Sequence, residues 1–338
     1  MPQFLTHNDC NFGYGRGLSY AGHNALKVAM PGQFHTVATH SDRWKQFCLW
    51  AKCMGIREAH EINNHTLRHY AEYLRARLNG EGQSLSVATA QNRLSTCNVV
   101  LRALRGNGDI SIKPAEALQA NRHKVRTEAP ELSRENLAQV QADLIMKGHD
   151  RVAAILGLCR ELGLRSKEAA LLDCQKALQQ YKESGSIDIE LGTKGGRGKR
   201  TATSPSRAER WVPVTDTALL ALTQAARLQG TANNLIPAGK RLPDFLARVR
   251  ESSGSVLKQY GLKHRHDLRA AYACEQYQRL TGKPAPVIAD DFVVDKSRDL
   301  EARQKIAALL GHNRVEVVSA YIGSPKGKGA DSSRTRKH

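Results

Sequence analysis

A tyrosine becomes a nucleophile only when its surroundings supply donors and take its proton, since a phenol of pKa ~10 is almost fully protonated at neutral pH. In the stretch LLGHNRVEVVSAYIG, Tyr321 stands nine residues after His312. Other segments carry groups of the required kind. Arg165 immediately precedes Ser166, His266 precedes Asp267, and His312 precedes Asn313, with Glu316 three residues further on. Ser, Asp and Asn are favoured helix N-caps, and Asn313 with Glu316 has the spacing of a capping box. Each basic side chain is therefore expected at a helix start, where unpaired N–H groups and partial positive charge suit a phosphate better than other common groups. Arg269, one turn after His266 on the same face, adds a donor. Taken singly, Arg165 and Arg269 are better explained as solvated cations or as partners of nearby carboxylates.

Spacing alone does not bring His312 to Tyr321. On one continuous helix, residues nine apart lie on roughly opposite faces, ~13.5 Å apart along the axis. His312 is therefore expected outside the helix of Tyr321, in a turn where Gly311 closes the helix of KIAALL. Another part lies between two alternating stretches, SIDIELGTKGG and ERWVPV, the clearest β signal in the chain. From Lys194 to Arg210 there are six basic residues, Lys194, Arg197, Lys199, Arg200, Arg207 and Arg210, against one acid, Glu209. Such a loop suits a nucleic-acid backbone, where cations neutralise phosphates and release counterions, and taken alone it reads equally well as a disordered solvated loop. Lys194, near the end of the first strand, is better anchored than the loop tip and better placed to deliver a proton.

Helical patterns surround these parts. Residues 1–30, rich in Gly, Asn and His, are read as an irregular lead-in. Trp44, Phe47, Leu49, Trp50 and Cys53 recur at helical steps, and two more helices follow around NNHTLRHYAEYLRARL and SVATAQNRLSTCNVVLRAL. They predict a helical domain over 31–105, whose helix from Ser86 to Leu104 offers Gln91, Asn92 and Arg93 as base-reading candidates. Residues 106–131 read as a linker with one short helix, 132–321 as a second domain of helices around the hairpin, and 322–338 as a basic tail.

The bulk numbers agree with an anionic partner. The chain has 338 residues, enough for two domains. Its net charge of +19 and pI near 9.8 would make a compact protein repel itself unless something such as nucleic acid is bound. Seven scattered cysteines without a CxxC pair suggest reduced thiols and neither disulfides nor a zinc site. No signal pattern opens the chain and no stretch approaches ~18 apolar residues, so the expected location is cytoplasmic, with no membrane partner.

Set in order, LGLRSKEAALL, the Lys of GTKGG on a hairpin ending in RWVPV, HDLRAAYA, and LLGH followed by a Tyr nine residues on resemble the tyrosine recombinases, or phage-type integrases. The likeness is specific over about 133–321 and looser over 31–105. It implies a two-domain clamp on duplex DNA: a helical core-binding domain, and a catalytic domain that is mainly α with a small antiparallel β-sheet. By this resemblance Arg165 and Arg269 hold the non-bridging oxygens of the scissile phosphate, and Lys194 is the general acid for the 5′-hydroxyl. His266 assists proton transfer, His312 hydrogen-bonds the phosphate, and Tyr321 forms the 3′-phosphotyrosyl link. No metal or other cofactor is implied. A homo-tetramer on two DNA sites is, as are accessory DNA-bending or directionality proteins.

The sequence departs from that pattern in places. From Arg269 to His312 runs 43 residues, longer than the family pattern, with the excess in TGKPAPVIADDFVVDKSRDLE. Its Asp290, Asp291 and Asp295 read as a solvated acidic insertion, not as metal ligands. Residues 322–338 lack the apolar helix with which many relatives dock on a neighbour. The competing readings are a non-catalytic DNA-binding protein, such as a decayed integrase, and a type IB topoisomerase.

Overall fold

The computed structural model describes residues 10–78, 80, 84–193, 209–289 and 294–324. The chain divides into two compact units, residues 1–123 and 124–338. Among the described residues the only sheet has two strands and the rest of the regular structure is helical. No helix among them is long and apolar enough to cross a membrane.

The first unit is built on α1 (Leu18–Ala29), α2 (Phe34–Cys53), α3 (Asn64–Leu78), α4 (Val87–Arg105) and the short α5 (Pro114–Leu118). Its centre is aromatic. Trp44 stacks on Phe47 with ring centroids 4.8 Å apart, and Phe47 meets Tyr70 edge-on at 5.0 Å.

Helix α1 corrects the expectation of an irregular lead-in. Leu18, Ala21, Ala25 and Leu26 do recur at helical steps and are buried, but the stripe is carried partly by small residues and so has little weight as a hydrophobic signal. Smallness is required there. A Cβ at Gly22 would lie 2.2 Å from the Trp44 indole nitrogen, which donates to the Leu18 carbonyl at 3.0 Å. The unit also continues past residue 105. Leu118 is in its core, with Ile110, Ile112, Ala117 and Ala120 packed around it, so most of the expected linker belongs to this unit.

In the second unit, α6 (Arg134–Met146) and α7 (Asp150–Glu161) form an antiparallel pair, followed by α8 (Ser166–Leu171) and α9 (Cys174–Ser184). Ser133 caps α6, its hydroxyl accepting from the Asn136 amide. Strands β1 (Ser186–Asp188) and β2 (Trp211–Pro213) then pair antiparallel, with Ile187 opposite Val212. Helices α10 (Asp216–Gln229), α11 (Leu242–Gln259), α12 (Arg265–Thr281), α13 (Lys296–Leu309) and α14 (Ser319–Ile322) complete it.

Two helices form the spine of this unit. Every residue of α7 from Val152 to Glu161 is buried, and α12 is buried along most of its length. They are joined by an ionic network: Arg160 contacts Glu275 at 2.6 Å, and Arg134 bridges Glu275 and Glu161 at 2.8 and 2.9 Å. Burial alone would raise the Glu275 carboxyl, but the two guanidiniums bring it down to about 2. The C-terminal end of α7 is thus held to the second half of α12, while the hydrogen bond from Arg269 to the Gly163 carbonyl brings the first turns of α12, with His266 and Arg269, beside the turn that leads from α7 to Arg165. In the acidic insertion, Asp295 caps α13 by accepting from the Ser297 and Arg298 amides, while Asp290 and Asp291 lie outside the described residues.

Candidate active site

Arg165 occupies the N-cap position of α8, and its amide donates to the Glu168 carboxylate at 2.7 Å. The expected cap, Ser166, is instead the first helical residue. His266 falls in the first turn of α12, whose cap is His264; Asp267 closes that turn by accepting from the His264 amide at 2.9 Å. His312 lies in the turn after α13. Gly311 has the left-handed φ of +63° that such a turn requires, and the His312 amide donates to Ala307. The expected capping box at Asn313 does not form: a 3-10 turn over Val315–Val318, with Arg314 at its cap, leads into α14.

That broken path brings His312 to Tyr321. A continuous helix would have separated them, whereas the turn and the short helix double the chain back. His312 Nε2 lies 3.1 Å from the Tyr321 hydroxyl. The Tyr321 ring is 5.1 Å from that of His266, and the Arg269 guanidinium sits 5.6 Å from its centroid. Tyr321 is 3 % exposed, so its hydroxyl is directed at this cluster and not at bulk water. Cys274 on α12 approaches its carbonyl, the Arg126 amide donates to Ser319, and the Val287 amide donates to Ile322. Arg303 holds the Ser319 hydroxyl and the Gly323 carbonyl.

Arg269 is fully buried. Its terminal nitrogens donate to the carbonyls of Gly163 and Leu310, and one of them lies 3.4 Å from His312 Nε2. Gly163, at a φ of +61°, packs so closely that a Cβ there would lie 2.4 Å from the Tyr272 ring. Glycine at this turn lets its carbonyl face Arg269.

One anion organises the cations. Glu168, buried on α8, meets Arg165 at 2.5 Å, Arg210 at 2.9 Å and Arg269 at 3.6 Å. Burial favours its neutral form, but Arg210, Arg165 and Arg269 together keep its carboxyl below the ordinary range. Arg165 and Arg269 thus do pair with a carboxylate, the bland alternative for each alone, but they share the same one and converge through it. Three guanidiniums against one carboxylate leave two positive charges. Both histidines respond to this. Desolvation, then Arg269, Arg165 and Arg210, bring His312 down to about 3. Desolvation, Arg269 and Arg165 also lower His266.

Sequence reasoning left Glu168 out of the site. The signal was its position three residues after Arg165, the Ncap-to-N3 spacing of a capping box.

Arg210 was expected on a DNA-facing loop, and the structure corrects this. It is 4 % exposed, with its guanidinium ion-paired with Glu168 at 2.9 Å and donating to the Leu309 and Gly163 carbonyls. Strand alternation explains the difference. Arg210 shares parity with Val212, which is buried, and not with Trp211, which is exposed.

The other loop cations, Lys194, Arg197, Lys199, Arg200 and Arg207, lie outside the described residues. The chain leading to them is placed, however. Gly192, at a φ of +78°, packs where a Cβ would lie 2.9 Å from the Lys167 carbonyl, so β1 exits beside the Arg165–Glu168 turn. In the first unit, Gln91 is likewise corrected as a base reader. It is buried, donating to the Ala120 carbonyl and accepting from Arg122 at 2.6 Å. Asn92 accepts from the same guanidinium at 2.8 Å, and Arg93 is half-buried.

The arrangement therefore combines a phenol hydrogen-bonded to a neutral imidazole with a buried surplus of positive charge. Such a site can stabilise negative charge developing on a phosphate attacked by the phenol. The sequence model of the integrase family matches residues 122–275, a span containing Arg165, Glu168, Arg210, His266 and Arg269. No curated protein matches the sequence. Among solved structures, the chain is similar to the Tn1549 transposon integrase in complex with transposon right end DNA, at 13 % identity, covering 92 % of this chain and 96 % of that one with a TM-score of 0.57. It is also similar to a lambda integrase dimer bound to a COC′ core site, at 16 % identity, 91 % and 77 % coverage and a TM-score of 0.55. These likenesses extend over both units of the chain.

Proposed function

We propose that this chain, which the integrase family model matches over residues 122–275, is a tyrosine recombinase that cuts and rejoins DNA at specific sites through a covalent bond between Tyr321 and a 3′-phosphate. The observation that carries the proposal is the 3.1 Å approach of His312 Nε2 to the Tyr321 hydroxyl, beside a buried guanidinium that already points toward both.

In the proposed step the Tyr321 oxygen attacks the scissile phosphorus, the new O–P bond forms, and the bond to the 5′-oxygen breaks. Arg165 and Arg269 hold the two non-bridging oxygens, where their charge matters most as the phosphorane develops. His312, kept neutral by its surroundings, hydrogen-bonds the phosphate. His266, also with a lowered pKa, takes part in moving the tyrosyl proton, and Lys194 donates one to the leaving 5′-oxygen. The phosphotyrosyl ester retains the energy of the phosphodiester, so a 5′-hydroxyl of a second strand reverses the step without a nucleotide cofactor.

Tyr321 lies beside His312 and Arg269 of its own unit, which supports delivery of the nucleophile in cis. Duplex DNA is the proposed substrate. A homo-tetramer joining two sites is the proposed working assembly, with DNA-bending or directionality proteins as accessory partners and integration or excision of a mobile element as the outcome. The test is covalent trapping on a nicked suicide substrate. The wild type should leave a protein–DNA adduct, while Tyr321→Phe should bind the same DNA with unchanged affinity and leave none. Binding without any wild-type adduct would instead identify a non-catalytic DNA-binding protein, and supercoil relaxation without a specific site would identify a topoisomerase.

A further inference from the structure

Arg210 enters the site from the hairpin and is used by none of the proposed chemical steps, yet its guanidinium joins three separate pieces of the site. It lies 2.9 Å from Glu168 on α8, donates at 2.7 Å to the Leu309 carbonyl at the end of α13, and donates at 3.3 Å to the Gly163 carbonyl between α7 and α8. Each contact adjoins a residue of the proposed chemistry. Glu168 holds Arg165, Leu309 directly precedes Leu310, whose carbonyl accepts from Arg269, and the Gly163 carbonyl accepts from both arginines. Gly311, next to His312, fits against the same side chain: a Cβ there would lie 3.0 Å from Arg210 Cδ.

The Glu168 distances give this arrangement a purpose. One carboxylate oxygen, Oε1, is taken by Arg165 at 2.5 Å; the other, Oε2, accepts from the Arg165 amide at 2.7 Å and faces Arg210 at 2.9 Å. Arg269 is left at 3.6 Å from that second oxygen. A buried carboxylate in full contact with Arg269 would neutralise the charge meant for a phosphate and turn its donors away from it.

We propose that Arg210 is a positioning residue: it occupies the Glu168 oxygen that would otherwise pair with Arg269, and it ties the hairpin to the turns carrying Arg165 and His312, so that Arg269 stays available to the substrate. Its charge stays inside the protein and makes no contact with DNA.

The inference rests on the proposed reading of the site, so its test has two readouts that need no activity. Arg210→Met removes the charge and all three contacts; Arg210→Lys keeps the charge but cannot span three acceptors. Duplex affinity and its salt dependence are read by fluorescence anisotropy, adduct formation at saturating DNA on the nicked substrate, and the His312 imidazole by NMR titration. Among the described residues, the charged and titratable groups around His312 are Arg269 and His266 from α12, Arg165 and Glu168 from the cap and first turn of α8, Arg210 from the hairpin and Tyr321 from α14.

Arg210→Met should slow adduct formation about 100-fold, the scale of a small misplacement of a reacting group, with affinity and salt slope unchanged. The His312 titration should move upward from about 3. Arg210→Lys should slow the adduct about tenfold by the same loss of positioning and leave the His312 titration in place; it decides the matter alone if the methionine variant does not fold. A salt slope reduced by about one with an undiminished adduct rate at saturation would make Arg210 a direct phosphate contact and overturn the proposal. So would a wild-type rate in the lysine variant, or an unmoved His312 titration in a folded methionine variant. If the wild type forms no adduct, the functional reading fails while the titration still decides the role of Arg210.

Discussion

His312 Nε2 lies 3.1 Å from the Tyr321 hydroxyl and 3.4 Å from an Arg269 nitrogen, so one imidazole touches both the proposed nucleophile and a proposed phosphate-binding cation. Removing it should affect reaction more than binding. His312→Ala is expected to slow adduct formation by about 10²- to 10³-fold, the usual loss for one donor to a developing oxyanion. Affinity for the duplex should stay within about twofold, since backbone contacts elsewhere dominate it. A proportionate loss of affinity, measured by anisotropy, would show that His312 serves ground-state binding instead.

Glu168→Gln removes the anion shared by Arg165, Arg210 and Arg269. Leaving buried cations uncompensated costs about 3 kcal/mol or more. The second unit should therefore unfold at lower denaturant, measured by urea titration of the intact chain. A midpoint unchanged from the wild type would mean that the three guanidiniums are hydrated and not held by Glu168.

His312 and His266 both titrate below the ordinary histidine range when folded, His312 at about 3. In the unfolded chain each regains a value of ~6.5. Below that pH the unfolded state binds more protons, so this contribution to stability is fully present above about 6.5 and is lost progressively as pH falls toward the folded value. Unfolding free energies measured between pH 7.5 and 5 should decline accordingly, and His312→Gln should flatten the decline. An identical slope in that variant would refute the assignment. NMR of the free wild type should likewise show no His312 inflection near pH 6.5.

Gln91 bridges α4 to the segment after α5 through Ala120 and Arg122. Gln91→Ala should destabilise the first unit by about 1–2 kcal/mol, the cost of unpairing buried polar groups, while leaving base preference in a binding-site selection unaltered. A changed preference with unchanged stability would restore Gln91 as a base reader.

Much of the candidate site was legible in the chain because its parts depend on residue type and order. Arg165, the hairpin, the His266–Arg269 turn and His312 with Tyr321 could be read from local patterns, since a turn glycine, a strand alternation or a helix start leaves its mark within a few residues. The helices around NNHTLRHYAEYLRARL and Ser86–Leu104 were legible for the same reason. Helix α1 was not, because its buried stripe relies on Ala21, Gly22 and Ala25. Their smallness matters only once Trp44 lies across them.

The sequence by itself determined which candidate groups the proposed phosphate site would use and their order along the chain, together with the net positive charge that suits an anionic partner. The tertiary structure decided which cations face inward and which residue counters them. Glu168 is an ordinary helix-start glutamate until three guanidiniums from separate segments close on it, and Arg210 is one loop cation among six until strand parity and burial turn it inside. The meeting of His312 with Tyr321 belongs to the same class. Nine residues of helix would have parted them, and only the Gly311 turn, the 3-10 segment and the packing of α14 on α12 bring the imidazole to the hydroxyl. Contacts between residues far apart along the chain depend on how whole elements pack, and local pattern carries no record of that packing.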